Sequence, residues 1–171
     1  MQSLGGSLLA ASNQHSDGTA PILPEQEGSA GSILWMDDSE QLCRLTSAML
    51  ERQCYNVVIA TNGEQAIDRY IEAMSSAKPF DLVVLDLTVQ GGLGGFDTLV
   101  RLRELDPNVV ALACSGYSDE ETEARVAQAG FRGLIAKPFL AAELYGAVQA
   151  AISKHGYSSE APPESRSKDC R

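Results

Sequence analysis

Histidine is almost missing from this chain and cysteine is sparse. The two histidines, His15 and His155, fall in or beside weakly patterned ends, which excludes a histidine-rich metal site. The four cysteines, Cys43, Cys54, Cys114 and Cys170, show no Cys-x-x-Cys spacing, and Cys43 and Cys114 lie inside apolar periodic segments. Buried reduced thiols of a cytoplasmic protein are therefore expected, rather than a disulfide framework or a zinc site. No apolar run approaches the roughly 20 residues of a membrane-spanning helix. The opening Met1-Gln2-Ser3-Leu4-Gly5-Gly6 has neither a positive start nor a long apolar stretch, so no signal peptide is read. A basic surplus is absent too. The formal net charge is -10, and residues 31–155 alone hold 17 acidic and 10 basic residues. Nothing here would neutralise a phosphate backbone, so direct nucleic-acid binding is not expected. An anionic membrane surface would repel the chain for the same reason.

What is present suits one ordinary domain. The chain has 171 residues, 44% hydrophobic and 21% charged, enough for a single packed core with some tail. Residues 1–30 are rich in Ser, Gly, Gln and Ala without a sustained period, and read as a disordered leader or interdomain linker. Residues 156–171 read as a disordered tail. Between them, in 31–155, short apolar runs at 32–36, 55–60, 82–86, 109–115 and 133–137 alternate with amphipathic stretches. The runs are unbroken rather than alternating, as in strands buried on both faces of a parallel sheet. Helix signals fill the gaps. Asp38 precedes a helix whose Leu42, Leu45 and Met49 share a face. Thr61–Glu64 and Ser118–Glu121 have the form of capping boxes, Gly130 closes the fourth helix, and Leu140, Leu144, Val148 and Ile152 line the last. Five strand–helix units predict an α/β three-layer sandwich, a five-stranded parallel sheet with helices on both faces. Periodicity alone leaves the strand order open.

In such a sheet, functional groups collect beyond the carboxyl ends of the strands. The first run ends in Asp37-Asp38, the third in Asp86, the fourth in Ser115 and the fifth in Lys137-Pro138. Three carboxylates crowded together raise one another's pKa values unless a cation neutralises them. A hard divalent ion fits, and Mg²⁺ in particular takes few carboxylates and keeps several waters. With the Lys137 ammonium and the Ser115 hydroxyl, the set suits a small, highly anionic group.

The segments Asp37-Asp38, Leu85-Asp86-Leu87-Thr88, Cys114-Ser115-Gly116-Tyr117 and Ala136-Lys137-Pro138-Phe139 resemble the four signature blocks of response-regulator receiver domains. The resemblance covers about residues 32–152 and implies the strand order 2-1-3-4-5. It makes Asp86 the phospho-acceptor, a carboxylate nucleophile that forms an acyl phosphate. Asp38 would contact Mg²⁺ directly and Asp37 mainly through water, with Asp86 and the backbone carbonyl of Thr88 completing the protein ligands. Ser115 would hydrogen-bond the phosphoryl group, and Lys137 would pair with Asp86 at rest. The Lys137–Pro138 bond would be cis. The implied partner is a histidine kinase or phosphotransfer protein, and receivers often form homodimers through the fourth and fifth helices with the fifth strand.

Two departures stand out. The loop after Asp86 carries four glycines, is one residue longer than is common, and has Gln90 where the family commonly has proline. Leu134 occupies the place of an aromatic switch residue, so coupling from Ser115 would run through the loop that follows it, with Tyr117. The loop resembles those of receivers in hybrid sensor histidine kinases, so the chain is expected to be a receiver cut from one rather than a stand-alone receiver. Rival readings fit less well. A haloacid-dehalogenase-like phosphotransferase wants a second acid where Thr88 stands, and a phosphorylation-incompetent docking receiver would lack one of the acids or the lysine. A dinucleotide fingerprint fails because Asp97 stands where its third glycine belongs. A flavodoxin-like carrier would meet Asp37-Asp38 where its flavin phosphate binds.

Overall fold

Strands and helices alternate five times in the computed structural model, which describes residues 29–153. The order is β1 (Gly31–Met36), α1 (Glu40–Glu51), β2 (Tyr55–Ala60), α2 (Gly63–Ser75), β3 (Leu82–Asp86), α3 (Gly95–Leu105), β4 (Ala111–Ser115), α4 (Glu120–Ala129), β5 (Leu134–Ala136) and α5 (Ala141–Ser153). All strand pairs are parallel, in the order β2-β1-β3-β4-β5. The expected leader and tail, with His15, His155 and Cys170, lie outside the described residues apart from Ser29 and Ala30. No helix among the described residues is long and apolar enough to cross a membrane.

Side-chain alternation along the strands divides the core in two. Ile33, Trp35, Val84, Leu112, Cys114 and Ile135 face α1 and α5, where Cys43, Leu50, Leu144 and Val148 meet them. Leu34, Met36, Val83, Leu85, Ala111 and Ala113 face α2, α3 and α4. That is the expected three-layer sandwich. β3 and β4 are buried throughout, whereas β2 and the three-residue β5 form the partly exposed edges.

Several local expectations shift. Ser39, directly after Asp38, caps α1, accepting from the Leu42 amide. Asn62 caps α2 and accepts from Gln65 N at 2.9 Å, while Gln65 Oε1 takes the Thr61 amide at 2.8 Å. The cap thus sits one residue later than Thr61–Glu64 places it, and Gln65 reaches back past it to the Thr61 amide. Asp119 likewise displaces Ser118 as the cap of α4, accepting from Thr122 N. At α2 the Asn62 side chain is a stronger N-cap than the Thr61 hydroxyl beside it, while at α4 Asp119 and Ser118 are comparable caps. The buried face of α1 is Cys43, Thr46 and Leu50, and Leu45 is 50% exposed. Thr46 tolerates burial because its hydroxyl donates to the carbonyls of Leu42 and Cys43. Leu140 precedes α5 and is exposed; Ala151 joins Leu144 and Val148 inside. Cys43 and Cys114 are free and buried as expected. Cys54 has a positive φ of 63. It is half-buried in the turn before β2, outside any packed element.

Gly130 ends α4 with φ 83, and the Arg103 guanidinium of α3 donates to the carbonyls of Ala129 and Gly130, tying the two helices. Gly95 sets how closely α3 begins to the end of β3: a Cβ there would lie 2.7 Å from the Asp86 carbonyl oxygen. Because that oxygen is backbone, Gly95→Ala is expected to destabilise the fold by about 1–3 kcal/mol. Urea unfolding checks this; an unchanged midpoint would show that α3 can retreat freely.

Candidate functional site

Parallel strands that end together deliver their next residues to one edge, and here four do so. Asp37, directly after β1, has an amide that donates to the Ala60 carbonyl, continuing the β1–β2 pairing. Its side chain is fully buried, with Oδ1 accepting from Ser39 N at 2.9 Å and Oδ2 from Lys137 Nζ at 2.6 Å. Asp86 ends β3 and is buried; Oδ1 accepts from Thr88 N at 2.9 Å and Oδ2 from the same ammonium at 2.6 Å. Lys137 reaches both from the end of β5, where its amide donates to the Ser115 carbonyl and the bond to Pro138 is cis, as the resemblance implied. Asp38 is exposed, and its Oδ2 accepts from Gln90 N at 3.1 Å. One oxygen from each of Asp37, Asp38 and Asp86 falls within 4.8 Å of the others.

The electrostatics are unbalanced. Burial disfavours a charged Lys137, but the hydrogen-bonded carboxylates of Asp37 and Asp86 outweigh it and hold the ammonium above its ordinary value. Burial lifts Asp86 above the ordinary carboxylate range; the Lys137 and Thr88 hydrogen bonds pull it back only in part, and Asp37 adds a small upward push. Three carboxylates face one ammonium, so two negative charges are left over. An all-oxygen donor set with that excess fits a hard divalent cation such as Mg²⁺. The neighbouring thiols take no part at neutral pH. Burial, reinforced by Asp37, pushes Cys43 up to about 11, and burial pushes Cys114 up to about 12.

Ser115, Thr88 and Tyr117 adjoin this centre. Ser115 is buried at the end of β4, and its Oγ accepts from Tyr117 N at 3.1 Å, leaving the hydroxyl proton to donate elsewhere. Ser115, Thr88 and Tyr117 line one cavity of about 340 Å³ with Phe96 and Arg125, whose guanidinium lies 4.9 Å from the Phe96 ring centre. The Tyr117 side chain is 73% exposed at its rim. Leu134 is not in this group: it lines a separate cavity with Pro138 and Phe139. What the residue pattern missed is the set of backbone amides, from Ser39, Thr88 and Gln90, that fix the carboxylates. A backbone donor has no signature in a sequence.

If Lys137 holds two buried carboxylates, Lys137→Met should cost on the order of 3 kcal/mol in Mg²⁺-free buffer, because unpaired buried charge is expensive. Adding Mg²⁺ should return part of that loss through binding to the folded state. Chemical unfolding with and without the ion checks both; a variant as stable as wild type without Mg²⁺ would contradict the pairing.

Comparison with known proteins gives one direction. Residues 33–149 match the family described as response regulator receiver domain. The uncharacterised transcriptional regulatory protein YkoG of Bacillus subtilis is 31% identical over 133 residues, covering 76% of this chain and 54% of that protein. The chemotaxis protein CheY of Thermotoga maritima is 29% identical over 108 residues, covering 63% of this chain and 85% of its own. Among solved structures, a two-component response regulator of the LuxR family from Aurantimonas sp. superposes with a TM-score of 0.66 at 26% identity, over 74% of this chain and 87% of that one. The chain therefore spans about half the length of YkoG.

Proposed function

The chain belongs to the response regulator receiver domain family, and on that premise we propose that it is a phosphorylation switch whose acceptor is Asp86. The observation that carries this reading is a buried carboxylate at the end of β3, paired with Lys137 at 2.6 Å and set beside two further aspartates. A carboxylate oxygen of Asp86 attacks the phosphorus of a phosphohistidine on a histidine kinase or phosphotransfer protein. The new P–O bond makes an acyl phosphate, the P–N bond breaks, and the imidazole leaves with its electron pair and takes up a proton. Lys137 stays within reach to pair with a phosphoryl oxygen, and the Ser115 hydroxyl donates to another once it is turned from Tyr117. Asp37, Asp38 and Asp86, with the Thr88 carbonyl, would hold Mg²⁺. The ion supplies positive charge to the attacked phosphoryl group.

The modified domain then favours a different set of partners by population shift. This is self-modification rather than turnover of a substrate. The acidic surface argues against direct contact with nucleic acid, and any such output in longer relatives would belong to segments beyond the receiver. The cytoplasm, where two-component phosphotransfer takes place, is the compartment this reading requires. The relatives named above are a transcriptional regulatory protein and a chemotaxis protein, so they lend no support to an origin in a hybrid sensor kinase.

Intact mass after incubation with acetyl phosphate and Mg²⁺ tests the acceptor. Wild type should gain about 80 Da, lost on hydroxylamine treatment as expected of an acyl phosphate, and Asp86→Asn should gain nothing. Absence of an adduct from both acetyl phosphate and a phosphohistidine donor would leave a docking module without switch chemistry.

A further inference from the structure

The glycine-rich loop between β3 and α3 is tied down more closely than four glycines suggest. Both backbone groups of Leu93 are taken by the start of α2: its amide donates to Glu64 Oε2 at 3.2 Å, and its carbonyl accepts from Gly63 N at 3.0 Å. Gly92 lies against the same helix start, where a Cβ would come within 2.9 Å of Asn62 Cβ. Gly91 turns the chain with φ 73, a conformation that glycine adopts without strain. Upstream of that turn, Gln90 points its amide at Asp38 Oδ2, 3.1 Å away.

This last bond differs in kind from the others at the site. Asp37 and Asp86 are buried, and each is fixed by a backbone amide and by Lys137. Asp38 is exposed, and among the described hydrogen bonds the Gln90 amide is its one donor. A freely rotating surface carboxylate must be ordered before it can ligate an ion. Carboxylates that bind metals are commonly held by an outer hydrogen bond, which leaves one oxygen for the ion. Proline, common in the family at this position, has no N–H and could not make the bond.

We propose that the backbone amide of Gln90, presented by a loop anchored on α2, is a positioning group that holds Asp38 for the divalent cation. The inference rests on the receiver reading for the identity of the ion. The Gln90 side chain is exposed and takes no part, so the proposal concerns the N–H alone. Gln90 does not have positive φ, so the sign of its backbone angle does not bar proline.

Calorimetric titration of Mg²⁺ into the full chain separates the cases. Gln90→Pro should bind Mg²⁺ about tenfold more weakly than wild type, the scale on which lost outer partners act, whereas Gln90→Ala, which keeps the N–H, should retain binding. Amide hydrogen exchange of the Mg²⁺-free protein gives a second readout that does not depend on proline. The Gln90 amide should be protected in wild type and lose that protection in Asp38→Ala. Equal Mg²⁺ affinity for wild type and Gln90→Pro would overturn the proposal and leave the receiver reading standing. So would a Gln90 amide that exchanges as fast in wild type as in Asp38→Ala. A wild type that binds no Mg²⁺ at all would remove the receiver reading, and this inference with it.

Discussion

One ammonium holds two buried carboxylates, and the rest of the molecule serves that contact. Lys137 Nζ lies 2.6 Å from both Asp37 Oδ2 and Asp86 Oδ2. The three residues come from β1, β3 and β5, and β1 and β5 are not neighbours in the sheet. Only a parallel sheet in the order β2-β1-β3-β4-β5, with its strands ending at a common edge, brings them together. The register makes this concrete: Asp86 pairs with Cys114, and the next residue, Ser115, pairs with Ala136, immediately before Lys137. A one-residue slip in either pairing would turn a site residue into the core.

The contact is incomplete by design of its charges. Two buried acids and one exposed acid exceed the single ammonium, and that surplus suits a divalent cation and disfavours an unaccompanied phosphate. An ion that offsets the surplus makes the same pocket receptive to a phosphoryl group, with Lys137 and Ser115 as further donors. On the proposed reading, binding of an ion and acceptance of a phosphoryl group would be linked through that surplus of negative charge. On the Ser115 side, the hydroxyl that would meet the phosphoryl group is the acceptor for the Tyr117 amide. Movement of Ser115 toward Asp86 would release that amide. Tyr117, exposed at the rim of the cavity it shares with Ser115, is placed to respond, whereas Leu134 faces a different cavity.

Much of this was legible in the residues, for a physical reason. Strand ends are read from where apolar runs stop, and Asp37-Asp38, Asp86, Ser115 and Lys137 stand at those stops. The layers followed from unbroken apolar runs, while the strand order came from the resemblance, since periodicity carries no neighbour information. Helix starts were misplaced by one residue at Asn62 and Asp119 because adjacent polar residues compete for the cap. The inward face of α1 was misread because Thr46 hides its hydroxyl in its own helix and is buried, while Leu45 is left outside. The amide of Gln90 lay beyond sequence reading altogether: it is a backbone group, delivered by a fold.

The claim that surplus negative charge governs this site is tested most directly by thermal unfolding of wild type and Asp86→Asn, with and without Mg²⁺ at matched ionic strength. Asparagine keeps one acceptor oxygen for the two donors, Thr88 N and Lys137 Nζ, and removes one of the unmatched charges. Without Mg²⁺ the variant should melt above wild type, and Mg²⁺ should raise wild type more than the variant, by linkage to ion binding. A variant that melts below wild type in Mg²⁺-free buffer, with neither protein responding to the ion, would contradict the account.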